Sequence, residues 1–355
     1  MKTKEGEIKM DIGITYDLKE DYLAQGYDKE QVAELDSIDT IEAIENALQC
    51  IGFETQRIGN IKNLINKLAQ GKRWDAVFNI AEGLYGMGRE AQIPAILDAY
   101  QIPYVFSDPL VLAVCLHKRI TKEIVRNAGI PTPDFAEVHV EADIENVCSQ
   151  FPLFVKPVAE GTSKGITESS IVTDKDSLRE LCSKLLKQFN QPVLIERYLP
   201  GREFTVGIVG TGQYAKAIGT MEIVLKKDGQ KGAYSYANKQ NWLEWVEYRI
   251  ADELICTDCI DIALKAWQAL GCRDAGRIDL RLDEDGAPNF LEVNPLAGLN
   301  PDYSDLPIMC NLVGIDYAEL IAMIMESVLT RISADANGNI NEFLHTVKNL
   351  NVKGR

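Results

Sequence analysis

Positive charge is in short supply in this sequence: 37 Lys and Arg residues face 53 Asp and Glu, a formal net charge of -16 over 355 residues. A chain of that sign repels phosphate backbones and anionic lipid, so no nucleic-acid or membrane partner is expected, and an anionic ligand is expected only where local cations or helix ends hold it. Long apolar runs are missing too. No segment approaches the roughly 20 apolar residues of a membrane helix, and the first residues, MKTKEGEIKM, lack the apolar core of a signal peptide, so a cytoplasmic protein is expected. The three histidines, His117, His139 and His345, are dispersed. The eight cysteines lack the regular spacing of a secreted disulfide scaffold. One C-x-x-C, Cys256 and Cys259, falls in a stretch of helical periodicity with no second pair to complete a zinc site, so the cysteines read as reduced, small apolar residues. Neither G-x-G-x-x-G after the first strand nor a G-x-x-x-x-G-K-[ST] P-loop is present.

What is present is a globular composition, 46% hydrophobic and 25% charged, at a length that suggests two or about three domains. The first hundred-odd residues alternate strand and helix patterns: DIGITYD, then DTIEAIENALQCIG, FETQRIG, IKNLINKLAQG, WDAVFNIAEG, REAQIPAILDAYQ and PYVFS. That alternation predicts a parallel sheet with helices on both faces. A helix, LVLAVCLHKRITKEIVRNAG, leads into a compact α+β segment, and a third region opens with the strands EFTVGIVG and YAKAIGTMEIVL and closes with the apolar helix DYAELIAMIMESVLTRI.

The stretch GRIDLRLDEDGAPNFLEVNPLAGLNP, Gly276 to Pro301, places charge inside two runs that otherwise read as strands. Asp285-Gly286 predicts a two-residue type I' hairpin turn, which sets Asp279 opposite Glu292 and Arg277 opposite Asn294. Period-two alternation puts those four on one face and Ile278, Leu280, Leu291 and Val293 on the other. Two opposed carboxylates repel unless something positive lies beside them. A site for a hard divalent cation answers that cost, and so does a solvated outer face. Upstream, FVKPVAEGTSKG holds Lys156 at a strand end before a loop with Gly161, Thr162, Ser163 and Gly165, whose amides suit phosphate oxygens or a surface turn equally well. LIERYLPGREFTV adds Glu196 and Glu203, and Lys118 lies late in an apolar helix.

In this order, Lys118, VKPVAEGTSKG, ERYLPGREFTV, GRIDLRLD and LEVNPLAG resemble the ATP-grasp superfamily, and within it the D-alanine:D-alanine ligase family, of which the chain looks like a divergent member. FNIAEG, GREAQIP and GIPTP belong to the resemblance, which runs from about Asn79 to Ile332. It implies an α/β and α+β protein of ATP-grasp fold: an N-terminal parallel-sheet (pre-ATP-grasp) domain over 1–112, a central subdomain over 113–200 with the glycine-rich loop, a C-terminal subdomain over 201–332 with the metal site, and a tail over 333–355. It implies ATP between two antiparallel sheets, with Lys118, Lys156, Glu160 and Gly161 at the phosphates, Glu196, Arg197, Tyr198 and Leu199 around the adenine, Glu203 at the ribose, and Lys239 reaching the terminal phosphate from a closing loop. Asp279, Glu292 and Asn294 match ligands of two Mg2+ ions, for which Mn2+ can substitute. Arg277 and Gly298 match the oxyanion-stabilising groups, with Thr162 and Ser163 beside them. The implied reaction joins a carboxylate to an amine through an acyl phosphate, on small amino-acid or peptide substrates, in a protein that pairs as a homodimer through its N-terminal domain. The alternatives are an inactive nucleotide-binding sensor or partner subunit, and a ligase acting on a non-peptide cofactor precursor.

The amino-acid half of the motif set departs from the family. The Gly-Gly-x-Ser-x-Glu after the first strand, whose glutamate holds the first substrate's ammonium, is replaced by DIGITYDLKEDYLAQGYDKEQ, leaving Asp17, Glu20, Asp21 and Glu82 as candidates. Thr162 replaces a serine and Gln240 a tyrosine. The segment that grips the second substrate's carboxylate becomes LNPDYSDLP, in which Ser304 keeps its role while Asp302 and Asp305 repel a carboxylate or attract an extra ammonium.

Overall fold

The computed structural model describes residues 10–147, 150–226 and 246–335. Strands β1 (Asp11–Thr15), β2 (Glu54–Gly59) and β3 (Ala76–Asn79) form a parallel sheet in the order β2-β1-β3. Around it lie helices α1 (Lys19–Ala24), α2 (Ile38–Ile51), α3 (Ile61–Ala69) and α4 (Gln92–Ala99). Helix α2 buries Ile41, Ile44, Leu48 and Ile51 and stops at Gly52, whose φ of +110° suits a residue without Cβ. PYVFS, expected as a strand, is reduced to a bridge between Tyr104 and Val77. Pro103 has no N–H to donate, and the Phe106 N–H turns away to Asp274 at 2.8 Å.

The helix expected as one run past residue 110 is two, α5 (Pro109–Leu116) and α6 (Lys118–Asn127). His117 between them is extended, with ψ 90°, and the Lys118 N–H donates to Val158 O at 3.0 Å. Lys118 is therefore the first residue of a new helix, aimed at a neighbouring strand. A second sheet, antiparallel in the order β4-β7-β5-β6, comprises β4 (Phe135–Val138), β5 (Leu153–Pro157), β6 (Ile171–Val172) and β7 (Val193–Arg197), backed by α7 (Lys175–Phe189). The third, also antiparallel, runs β10-β9-β8-β11-β12 through β8 (Glu203–Val209), β9 (Lys216–Leu225), β10 (Val246–Ile250), β11 (Ala275–Leu282) and β12 (Pro288–Asn294). Helix α8 (Glu253–Leu270) covers one face, packing Cys259, Ala263 and Trp267 with Ile278, Leu280 and Phe290. On the other face Leu306 and Met309 pack against Gly207 and Gly219 of β8 and β9, and the end formed by β11 and β12 stays open.

Helices α9 (Asp305–Leu312) and α10 (Tyr317–Asp335) close the described chain. Although α10 follows the third sheet in sequence, its Leu320, Ile321, Ile324 and Val328 join the core of α2 and the first sheet. Asp274, fully buried, ties this junction. It accepts the Phe106 N–H and Arg331 Nη2, each at 2.8 Å, and Ser327 Oγ at 2.9 Å. Asp274→Asn keeps the shape and tolerates the left-handed backbone at φ +63°, but loses the charge. It is expected to lower the unfolding free energy by about 2–3 kcal/mol, the scale of hydrogen bonds to an ionised group, read as a fall in the urea midpoint at constant slope.

Two expectations about scattered residues divide. Cys259 is buried in the α8 core and the Cys256 thiol lies 3.3 Å from Thr220 Oγ1, so the C-x-x-C is a packing feature. The histidines, expected to be dispersed, are not all so: His117 Nε2 and His139 Nε2 converge on the Glu137 carboxylate at 3.5 and 3.0 Å. The helix break at His117 brings α6 beside β4, a proximity that sequence spacing hides. Among the described residues no group of three or more His, Cys, Asp or Glu side chains is arranged to hold a metal unaided, and no single helix is long and apolar enough to cross a membrane. His345 and Cys148 lie outside the described residues.

Candidate active site

The hairpin at its centre pairs as expected at the functional end, for a different reason. Arg277 faces Asn294 and Asp279 faces Glu292, but nearer the turn Leu280 faces Phe290 and Leu282 faces Pro288. The turn is one residue longer than a two-residue type I': the Asp283 N–H donates to Ala287 O at 3.0 Å, and only Gly286 takes a positive φ, +82°. A bulge at Leu291 absorbs the extra residue and restores the register. Leu291 was expected on the core face. The bulge turns it into the cleft, and Phe290 takes the core position in its stead.

Arg277 Nη1 is bonded to both oxygens of Asp279, which also accepts from Thr205 Oγ1 and, at 3.2 Å, from Asn294 Nδ2. Burial and the facing Glu292 push the Asp279 carboxyl above its usual range, against the opposing pull of Arg277. Burial works against the Arg277 charge, but Asp279 and Asp305 outweigh it and hold the guanidinium firmly protonated. The polar face is thus short of positive charge on its own. Lys118 and Lys156 approach Glu292 at 3.8 and 3.7 Å, from α6 and β5.

A cleft of about 700 Å³, counting the space at its mouth, opens between the second and third sheets. Phe154, Lys156, Glu196, Arg197, Tyr198 and Leu199 line it from one side, and Glu203, Arg277, Asp279, Arg281 and Leu291 from the other. At its floor the buried Glu196 carboxylate lies 2.5 Å from Lys122 Nζ and 3.0 Å from Lys156 Nζ. Burial opposes ionisation of Glu196, but the two ammoniums outweigh it and lower its pKa. Two cations on one anion leave one in deficit. Burial pushes Lys122 down to about 8 in spite of Glu196, while Glu196 and Glu292 hold Lys156 above its usual range against the same penalty. Glu203, raised by burial, lies 3.3 Å from Arg281 Nη1, and Arg281 Nη2 donates to Tyr198 Oη at 3.2 Å. Arg281 and Lys122 are site residues the sequence reading missed. Arg281 continues the period-two polar face of Arg277 and Asp279 and could have been found by that signal.

Lys118, Glu160, Gly161, Thr162, Asn294 and Gly298 line a second chamber, larger than the first, which shares Arg277 and Glu292 with it. Ser163 lines the first cleft instead. Thr162 and Ser163 have successive positive φ, 49° and 55°, a conformation that costs non-glycine residues energy and is retained where a loop must aim its amides. Lys118 Nζ donates to Glu160 O at 2.6 Å. Glu34, from the N-terminal part of the chain, accepts the Gly161 N–H at 2.6 Å and Arg89 Nη2 at 2.8 Å, with Lys164 Nζ at 3.5 Å. This latch between the first sheet's loops and the glycine-rich loop had no signal in the sequence. Of the acidic candidates, Asp17 is spent on Tyr22 Oη and the Gly83 N–H, and Glu20 and Asp21 are exposed on α1. Glu82 alone lines the chamber, joined by Asp36 and Glu90, which were not anticipated. Asp305 is buried in the wall 3.7 Å from Arg277, whereas Asp302 is exposed. Ser304 Oγ accepts the Asn300 N–H at 3.0 Å. Lys239 and Gln240 lie outside the described residues.

The donor set suits a hard divalent cation. Asp279, Glu292 and the Asn294 amide offer oxygen ligands, and Mg2+ takes one or two carboxylates together with substrate phosphates rather than a closed protein cage. The mutual repulsion of Asp279 and Glu292 is the observation that favours such an ion.

Residues 124–326 match the family model described as D-ala D-ala ligase C-terminus. A D-alanine–D-alanine ligase of Aquifex aeolicus is 35% identical over 291 residues, 81% of this chain and 94% of that protein. One from Bordetella petrii is 30% identical over 302 residues, 84% of this chain and 89% of that protein. The crystal structure of a D-alanine–D-alanine ligase from Bacillus anthracis complexed with ATP superposes with a TM-score of 0.70 at 25% identity, covering 92% of this chain and all of that one.

Proposed function

The chain belongs to the D-alanine:D-alanine ligase family and is an ATP-dependent, peptide-forming ligase of ATP-grasp fold acting on small amino-acid substrates; on that premise we propose which of its residues do the work. The observation that carries the assignment is the polar face of Arg277, Asp279, Glu292 and Asn294, opening onto both cavities with Lys118 and Lys156 converging on Glu292. The reading as an inactive nucleotide-binding subunit has no comparable support.

A carboxylate is a poor electrophile, and the reaction is made possible by phosphorylating it to an acyl phosphate that an amine then attacks. Lys118 and Lys156 would neutralise the transferred phosphate, and the Thr162 amide would orient it, the Gly161 N–H being held by Glu34. Arg277 would stabilise the oxyanion of the tetrahedral intermediate, with Gly298 on the same wall. Tyr198, Leu199 and Phe154 give the apolar walls an adenine needs, and the Glu203–Arg281 pair a hydrogen-bonding edge for the ribose. Asp279, Glu292 and Asn294 would hold Mg2+, which supplies charge neutralisation for phosphoryl transfer. Lys239 remains assigned to the terminal phosphate by its motif position. Division into units over 1–112, 113–200 and 201–332 fits the three sheets, with α10 counted with the first unit. The chain would pair through that first unit and act in the cytoplasm; the tail expected over 333–355 loses its first residues, Ser333 to Asp335, to α10.

Release of ADP, followed in a coupled assay, is expected only when ATP, Mg2+ and amino-acid substrates are all present. Glu292→Gln is expected to lower kcat about 10²-fold. Failure of ATP to bind in calorimetry overturns the assignment.

A further inference from the structure

The second chamber carries more carboxyl groups than a pair of neutral amino acids can use. Its wall contains several carboxylates that are already matched: Glu34 by Arg89 and Lys164, Glu160 by Lys164 at 2.9 Å, Glu292 by the two lysines, and Asp305 by Arg277. Four are not: among the described residues Asp36, Asp39, Glu82 and Glu90 take part in no ion pair. Asp39 is exposed, and Lys19 on the same wall eases the charge of Asp36 without pairing with it. The three that are not exposed, Asp36, Glu82 and Glu90, line the same space. They come from three separate segments: the turn before α2, the end of β3, and the helical turn at Arg89–Ala91. Burial and the neighbouring Glu90, Glu34 and Asp36 push the Glu82 carboxyl well above its usual range, and Asp36 and Glu90 are pushed up to about 7 by burial. An α-ammonium supplies one positive charge. With three unpaired carboxyl groups in reach, one such charge satisfies one of them and leaves the others to stay protonated or to repel one another.

The far wall gives no relief. Arg277, which overhangs the junction of the two cavities, is flanked by Asp279 and Asp305, and Tyr248 Oη donates to Asp305 at 3.2 Å. The chamber, about 1800 Å³ with its mouth, also has room for side chains longer than a methyl group.

Resting on the ligase reading, we propose that the amino-acid chamber is built for a substrate with a second cationic group, a diamino acid or a peptide ending in one, held between Glu82, Glu90 and Asp36. Specificity then follows from an arrangement that penalises the neutral analogue, since the neutral side chain leaves half-buried carboxyl groups of the wall unpaired.

The test uses the full chain and isosteric pairs: ornithine against norvaline and lysine against norleucine, each as both enantiomers, with alanine as reference. Binding is measured by calorimetry with Mg2+ and a non-hydrolysable ATP analogue, and turnover by ADP release. The cationic member of a pair is expected to bind at least roughly ten-fold more tightly and to show a correspondingly higher kcat/KM. Glu82→Gln and Glu90→Gln are each expected to bring the ratio toward unity, and Asp36→Asn serves where either fails to fold by thermal melting. Equal or better binding of the neutral members, or a ratio unmoved by the substitutions, overturns the inference. The two readings fail separately: efficient ligation of alanine alone overturns the diamino preference and leaves the ligase standing, whereas tight diamino-acid binding without ADP release from any substrate leaves the preference and overturns the ligase.

Discussion

Arg277→Ala is expected to lower kcat/KM by about 10²- to 10³-fold, the scale seen when an oxyanion donor is removed. Its position explains why no neighbour can substitute. Lys118 and Lys156 reach Glu292 from α6 and β5, while among the described residues Arg277 alone lines both cavities with a cationic donor. The same substitution strips the counter-charge from the buried Asp279 and Asp305. Removing one partner from a buried ionic set costs about 3–5 kcal/mol, because the remaining charges stay desolvated. Loss of activity and a lower melting temperature are therefore expected together, and Mg2+ with ATP should recover part of the stability by occupying the face that Arg277 left. Arg277→Lys separates the effects: it keeps the charge and most of the stability but not the forked geometry, so kcat should still fall while unfolding changes little. Wild-type turnover in Arg277→Lys would show that a positive charge suffices there and that the guanidinium fork is not what stabilises the oxyanion.

The second large effect concerns folding. Glu196→Gln is expected to destabilise the protein by about 3–5 kcal/mol, since it leaves Lys122 and Lys156 buried beside each other without their shared anion. Lys122→Met should cost distinctly less, because it leaves Glu196 and Lys156 as a one-to-one pair, and Thr132 Oγ1 still donates to Phe290 O at 2.8 Å in place of Lys122. The pH dependence has a definite sign. Lys122 titrates near 8 when folded against 10.5 ordinarily, so between those values the unfolded chain binds more protons, and this group's contribution to stability rises with pH. Glu196 acts at the other end: its lowered pKa gives a contribution present above about 4.5 and lost as the pH falls through the folded value. In Glu196→Gln the acid-side contribution disappears, and the gain on raising the pH begins below 8 because Lys122 has lost its anion. Urea unfolding of both proteins at pH 5, 7 and 9 reads the difference, and a deficit constant across the three would contradict the account.

How far these sites could be read in advance varies with the range of the signal. Helix α2 and its stop at Gly52 follow from spacing of Ile41, Ile44 and Leu48 and from a backbone that only glycine enters freely. The pairing of Asp279 with Glu292 was legible because alternation at period two survives a change in the turn, yet the turn itself was one residue longer and a bulge at Leu291 repaired the register. Two local errors cancelled at the functional end and not at Leu291, which lines the cleft rather than the core. The break at His117, which makes Lys118 the start of a helix, was illegible in an apolar periodic run. It depends on the Lys118 N–H finding Val158 O, a partner that no window of sequence contains.

The sequence by itself determined the nucleotide half of this protein: the order of its lysines, the glycine-rich loop, and the alternating Arg277, Asp279, Glu292 and Asn294. Each of those depends on spacing within a strand, a turn or a loop. Tertiary structure alone decided the amino-acid half. Glu34, Asp36 and Glu90 are unremarked acids along the chain and Glu82 is one candidate among four; they become one wall only when the loops of the first sheet fold over the glycine-rich loop and the third sheet. Charge at a distance in sequence acquires meaning through burial, because desolvation is what turns a surface carboxylate into one that demands a partner.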